Sequence, residues 1–362
     1  MKSLLQMAAT LILVALLLLL AWMLLAPTEV HPVAWAAPDP ALAPAGSAAP
    51  VTPRRLAQGQ GLQGPETVIN DASGQLLAGL ADGRIVRLSI TASPRIETLV
   101  NTGGRPLGLA WHPDGRLIVA DAKLGLLAVD LASRKVTPLA STVNGKQLGF
   151  VDNVAVSADG RYAYFSDASA KWHFGQDTEA IVEHSGDGRL LRYDFQTNTS
   201  SVLLDGLQFA NGVALGPDGA YVLVSESGLY RVRRYWLSGP QAGSADIFCD
   251  NLPGIPDNLT FNGRDKFWVA IFTPRNPLLD QLSGHPYVRR MLARAMQILP
   301  RPIEHRSLAL GFDTQGRLQT RLQLEGAHNY IPVTNVHEAG GQLVFGSLTQ
   351  DGLAYLPLTA LP

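Results

Sequence analysis

Glu66, Gly108, Asn153, Asn211, Asp257 and Asn335 each stand six to eight residues before a turn glycine (Gly74, Gly115, Gly160, Gly219, Gly263, Gly341). Five of the six carry a side-chain oxygen, inside otherwise apolar segments: GPETV, VDNVA, ANGVA, IPDNL and TNVHE, with PLGLA as the exception. One such residue alone reads as a turn former or a satisfier of backbone groups. The same phase in separate copies reads differently, because a closed repeat aims equivalent positions at one axis. Carboxylates and amides converging in a dry channel are costly unless compensated. A hard cation compensates them, and calcium takes six to eight oxygen ligands from carboxylates, amide carbonyls and water. Glu66 and Asp257 supply charge and Asn153 and Asn211 neutral oxygens, which makes these four the expected Ca2+ ligands. Zinc prefers Cys and His, and the single cysteine, Cys249, reads as a small buried apolar residue that can form no internal disulfide.

The elements that must position these residues follow from the turns. Each copy runs from its glycine into a short β-type stretch: DASGQLLAG, HPDGRLIVAD, SADGRYAYFSD, GPDGAYVLVSE, FNGRDKFWVAI and AGGQLVFGS. Asp-Gly between alternating apolar runs is a hairpin signal. The steps between copies are 41, 45, 59, 44 and 78 residues, against roughly 40–50 for a four-stranded blade. The expected fold is therefore all-β, a six-bladed β-propeller over residues 56–362, closing on itself with no long open edge. Two unrelated β-sandwiches are the lesser alternative, since the copies share one phase and one turn chemistry.

The two long steps hold insertions, 171–187 and 273–302. In the second, Val288, Met291, Leu292, Ala295, Ile298 and Leu299 fall at helical spacing, with Arg289, Arg290 and Arg294 on the other side and Pro300 as a stop. Such a helix caps the channel mouth, lies on a membrane, or simply packs on the blade ends.

At the N-terminus an apolar run from Leu4 to Ala26, broken only by Gln6 and Thr10, is long enough to span a bilayer. Residues 1–26 are expected to be a transmembrane signal anchor, with cleavage near Ala34–Ala37 as the alternative. Lys2 keeps that end cytoplasmic by the positive-inside rule, putting the propeller on the periplasmic or extracytoplasmic side. Residues 27–55, rich in Ala and Pro, read as an extended spacer. The net charge of -1 gives no indication of a nucleic-acid partner.

The segments GPE at Glu66, FVDNVAVSADGRYAYFSDAS, FANGVALGPDGAYVLVSES, GIPDNLTF and VHEAGGQLVFGS resemble the strictosidine synthase-like family, related to the paraoxonases and gluconolactonases. The resemblance covers about residues 56–362. It implies a six-bladed propeller and, from the hydrolytic members, a channel calcium held by a Glu, two Asn and an Asp, carried here by Glu66, Asn153, Asn211 and Asp257, with Asn258 as a possible extra. It implies a calcium-dependent hydrolase acting on a small-molecule ester or lactone. The acidic residues that serve a second calcium in paraoxonases are replaced by Thr67 and Val154, so no second ion is expected.

For the mechanism, calcium would act as a Lewis acid on a carbonyl or phosphoryl oxygen. Asp257 would attack or activate water, and His337 is the expected general base. Alternation lets only one of His337 and Glu338 face the channel. Two rival readings remain: a non-catalytic, membrane-tethered binding propeller, and a metal-independent, synthase-type condensation using Glu338.

Overall fold

The computed structural model describes residues 2–39, 50–91, 93–298 and 305–361. Six four-stranded antiparallel sheets follow one another along the chain as the blades of a β-propeller. The innermost strands are Val68–Asn70, Pro106–Trp111, Val151–Val156, Ala210–Leu215, Gly254–Phe261 and Asn335–Ala339 for blades 1 to 6. Each blade then steps outward through consecutive hairpins. Blade 6 is completed by the chain's own beginning: Arg54–Leu56 pairs antiparallel with Leu353–Pro357, in the register Arg54↔Tyr355 to Leu56↔Leu353. The propeller thus starts two residues inside the stretch expected as spacer, and this seam leaves no blade unfinished.

The core lies between blades. Alternation gives each sheet two apolar faces, and neighbouring faces interdigitate: Leu77 and Ile85 of blade 1 meet Leu109, Val119 and Leu127 of blade 2. Phe248 of blade 4 packs on Phe267 of blade 5 at 5.4 Å between ring centres. Each fully buried Leu or Phe contributes about 1.5–3 kcal/mol relative to exposure.

Both long steps carry insertions joining the second strand of a blade to its third, at the end where the inner strands begin. The first holds α2 (Asp177–Glu183) in blade 3. The second, in blade 5, holds α3 (Pro277–Gln281) and α4 (Pro286–Ala295). Two helices thus stand where one was expected, and Leu299 and Pro300 lie outside the described residues. Two of the three arginines do not take the solvent side of α4, and Arg290 is half-buried. Arg289 and Arg294 are buried, while Val288 and Ile298 are exposed. Backbone carbonyls cause the inversion: Arg289 donates to Val33 O at 2.8 Å and to Val182 O, and Arg294 to Met23 O at 2.6 Å and Leu24 O at 3.1 Å.

The N-terminal helix α1 spans Lys2–Leu25, and its stretch Leu4–Leu25 is long and apolar enough to cross a membrane. Beyond it the chain is docked rather than free as far as Asp39. Val33 N and Trp35 N donate to Glu183 O (2.8 Å) and Ser283 O (3.1 Å), and Arg275 donates to Asp39 O at 3.0 Å. Trp35 stacks on His184 at 4.1 Å. This strap lies along the insertions. The Ala-rich part of the expected spacer, residues 40–49, lies outside the described residues.

Candidate metal centre

The inner strands run in parallel from the insertion-bearing end, so their first residues form one level of the channel. A β-bulge recurs there. In blade 3, Val151 pairs with Asp167 and Val154 with Phe165, so the inner-strand residues Asp152 and Asn153 oppose a single partner. The same irregularity falls between Ala210 and Val213 in blade 4 and between Pro256 and Leu259 in blade 5. A bulge breaks strict alternation and lets two consecutive side chains turn inward. A second repeated device holds the approach to each bulge. Asp121, Asp167 and Glu226 end the second strands of blades 2, 3 and 4. They accept the backbone N–H of Arg105 (2.9 Å), of Gly149 and Phe150 (3.0 and 2.8 Å), and of Gln208 (3.0 Å). Arg189 pairs with Asp167, and Arg231 with Glu226 at 2.5 Å. The loops entering the channel are therefore held by buried carboxylates, backed by ion pairs in blades 3 and 4.

Glu66, Asp152 and Asp257 bring carboxylate oxygens within 4.8 Å of one another, all three buried. Asn258, fully buried, ties this group together: its Nδ2 donates to Glu66 Oε1 at 2.5 Å, and its Oδ1 accepts from Asn153 Nδ2. The Asn211 amide bonds Asp257. So the structure gathers Glu66, Asn153, Asn211 and Asp257 at one place, together with Asn258. It adds Asp152, which sequence reasoning passed over because alternation would turn the neighbour of Asn153 away. Gly108, the exception in the ring, is required by close approach: a Cβ there would stand 2.6 Å from Asn153 Cα. Asn335 serves structure, its Oδ1 accepting from Val68 N at 3.2 Å.

Electrostatically the group is overloaded. Burial pushes the Glu66 carboxyl up to about 7, partly offset by Arg105 and the amide of Asn258. Asp152 and Asp257 are raised well above the usual range by burial first and by the Glu66 charge second. Arg105, also missed from sequence, is almost fully buried. Its Nη2 donates to Gly64 O at 3.0 Å, while Nε and Nη1 have no hydrogen-bond partner. Asp152 Oδ1 and Asn211 Oδ1 are likewise buried without a partner. Such oxygens are rare in a folded interior and mark a place that something else completes. The donor set, three carboxylates and amide oxygens with no thiolate or imidazole, fits a hard divalent cation. Phe150, Phe174 and Phe209 pack edge to face at 5.6 Å just upstream, giving the approach an apolar wall.

His337 is not part of this group. It lies two residues further along its strand than Asn335, about 7 Å deeper, with Nε2 2.8 Å from Asn70 Oδ1. The amide orientation of Asn70 is fixed by its Nδ2 donating to Asp71 O at 3.1 Å. His337 therefore donates from Nε2 and keeps a free lone pair on Nδ1. Burial lowers its pKa to about 4, so the ring is neutral. Glu338 turns to the opposite side, accepting from Trp268 Nε1 at 2.7 Å and pairing with Arg264 at 2.7 Å.

Two family models match, "strictosidine synthase" over residues 152–240 and "strictosidine synthase-like, N-terminal" over 52–88. The adipocyte plasma membrane-associated protein of Rattus norvegicus is 36% identical over 329 residues, covering 85% of this chain and 86% of its own. The chain belongs to the strictosidine synthase-like family that includes these membrane-associated proteins. Solved propellers share the fold at lower identity. A gluconolactonase from Xanthomonas campestris gives a TM-score of 0.57 at 16% identity, covering 89% of this chain and all of its own. A calcium-binding regucalcin from Agrobacterium tumefaciens gives 0.57 at 15%, covering 84% and 90%. Within the family frame, both matched segments contain ring residues: the first model opens on Asp152 and includes Asn153 and Asn211, and the second includes Glu66.

Proposed function

We propose that this chain is a membrane-tethered, calcium-dependent hydrolase of esters or lactones, with its centre at the buried oxygen ring. One observation carries the reading: unpartnered buried oxygens of Asp152 and Asn211 beside three carboxylates that lie within 4.8 Å of one another. The propellers named gluconolactonase and calcium-binding regucalcin share the architecture and support the same direction.

Glu66, Asp152, Asp257, Asn153 and Asn211 would hold the ion. When bound, calcium supplies Lewis acidity toward a carbonyl oxygen and holds the negative charge that develops there. The chain's own residues do the rest. Arg105 sets one positive charge against the three carboxylates, so that with a divalent ion the site is neutral. Asn211 orients Asp257 through its amide, leaving a carboxylate oxygen to accept a proton from the water that attacks the acyl carbon, or itself to attack that carbon with loss of the alkoxide, giving a mixed anhydride that water then hydrolyses. The phenylalanine wall keeps bulk water away from the approach. His337, neutral and with Nδ1 free, is proposed as a deeper proton acceptor. The apolar α1 is proposed to cross the membrane with its N-terminus cytoplasmic, in keeping with relatives named as plasma membrane-associated.

The test is metal removal from the full-length chain in detergent, assayed on phenyl acetate and on γ- and δ-lactones. Activity is expected to vanish with a chelator and return with calcium, and Asp257→Asn is expected to fold but lose at least about 100-fold in kcat. Unchanged turnover in metal-free protein ends the proposal. Calcium binding without turnover of any member of the panel leaves the binding-platform reading in its place.

A further inference from the structure

α4 is built inside out for a water-facing helix. Arg289 and Arg294 point inward to backbone carbonyls, while Tyr287 is 84% exposed, Val288 43% and Ile298 57%. Leu278 on α3 is 54% exposed. Outside α1, seven large apolar side chains are exposed among the described residues, and five of them lie on the strap and this cap: Val33, Leu278, Tyr287, Val288 and Ile298. No carboxylate is exposed along 276–298, since its single acidic residue, Asp280, is held by Arg275 at 2.9 Å and by Tyr230. Scattered apolar side chains need no explanation, but a cluster bare of acids marks a contact surface.

The position of the cluster identifies the contact. The 22 residues Leu4–Leu25, apolar except for Gln6 and Thr10, form a rod of about 33 Å, matched to a hydrocarbon core of about 30 Å. Its last turn therefore lies at the lipid–water boundary. Arg294 donates to the carbonyls of Met23 and Leu24 in that very turn, so α4 is pinned at the depth of the boundary.

We propose that the cap of α3 and α4, with the strap beside it, is seated in the interface of the bilayer that α1 enters, Tyr287, Val288, Leu278 and Ile298 dipping into the acyl boundary. The inference rests on α1 crossing that membrane. Tyr287 sits where amphipathic rings favour the headgroup level, and with Arg289 and Arg294 turned inward only Arg290, half-buried, is left as a cation on the outer side of α4. Both insertions emerge at the end where the inner strands begin, so the ring's mouth opens toward lipid and is supplied with membrane-dissolved, apolar acyl compounds in preference to freely soluble ones.

The experiment uses the full chain in phosphatidylcholine vesicles, with an environment-sensitive fluorophore on Tyr287→Cys, on Ile298→Cys and, at a turn on the opposite end of the propeller, on Asp159→Cys. Native Cys249 is buried and its thiol is held protonated by burial, so it stays unlabelled. Nitroxide-bearing lipid is expected to quench the probes at 287 and 298 several-fold more than the one at 159, and aqueous iodide several-fold less. Equal iodide access at all three sites, with the chain still retained after alkaline carbonate washing, overturns the seating of the cap while α1 stays anchored. Release by carbonate overturns the anchor, and the seating with it.

Discussion

The two ends of the channel are built from the same repeat and finished differently. At the insertion-bearing end, Glu66, Asp152 and Asp257 crowd together, and Asp152 Oδ1 and Asn211 Oδ1 have no partner. At the other end His337 is matched by Asn70, and Glu338, turned away from the channel, by Trp268 and Arg264. One end is matched by the protein's own partners; the other is left with three carboxyl groups whose ionisation burial resists and with oxygens that have no partner. The contrast teaches that polar content alone does not mark a site. Both ends have it, and unpartnered oxygen beside clustered carboxylates distinguishes the first.

The sharpest way to break the comparison is to make one chemical change at each end. Glu66→Gln removes one of three clustered charges and keeps the shape. Calcium affinity, measured by titration calorimetry, is expected to fall by about 100-fold or more, since loss of even an outer-shell partner costs 10–100-fold. Asp152→Asn is expected to behave alike. Wild-type affinity in both variants would mean that the cluster is not the ion site.

The next effect is on stability, and its sign differs between the ends. Without metal, Glu66 titrates near 7 in the folded chain against an ordinary 4.5. A raised carboxyl stabilises the fold below its ordinary pKa, and that contribution is lost as pH rises through 7. From Glu66 alone the loss amounts to roughly 3 kcal/mol between pH 4.5 and 8, and Asp152 and Asp257 act in the same direction. His337 is shifted down to about 4 from 6.5. Its contribution is present above 6.5 and is lost as pH falls through 4. Urea unfolding of chelated protein should therefore show a stability maximum in mildly acidic solution, with calcium restoring stability at pH 8 far more than at pH 5. A flat profile above pH 5 would show that the carboxylates are already compensated.

The sequence carries the repeated ring positions well and the groups that surround them poorly, for physical reasons. Turn chemistry at Gly74, Gly115, Gly160, Gly219, Gly263 and Gly341 recurs in every blade, so blade number and phase could be read directly, and with them Glu66, Asn153, Asn211 and Asp257. Asp152 was hidden by the bulge, because period-two alternation predicts that it faces away from Asn153. The one available signal was the twin polar pair itself, DN at 152–153 and again at 257–258. Arg105 was hidden because a guanidinium after the turn-type segment NTGG reads as surface until the fold encloses it. The inverted cap was hidden because helical spacing gives the two faces of α4 but not which one the strap and α1 occupy. That choice is made by carbonyls of Met23, Leu24, Val33 and Val182, distant in sequence.

The smallest effect is the matched change at the finished end. Glu338→Gln keeps a carbonyl oxygen for Trp268 Nε1 and gives up only the ion pair to Arg264, whose side chain is 69% exposed. The Glu338 side chain is 11% exposed, but a pair whose cation is this solvated is worth no more than about 1 kcal/mol. Glu338→Gln is therefore expected to leave calcium affinity and ester turnover within about twofold and to lower stability by less than about 1 kcal/mol. The same substitution thus separates the ends by two orders of magnitude in affinity, if the ring is where the ion sits. It also tests the condensation reading, which gives Glu338 the central role and needs no metal. A Glu338→Gln chain that loses its activity while Glu66→Gln retains it would reverse the assignment of the two ends.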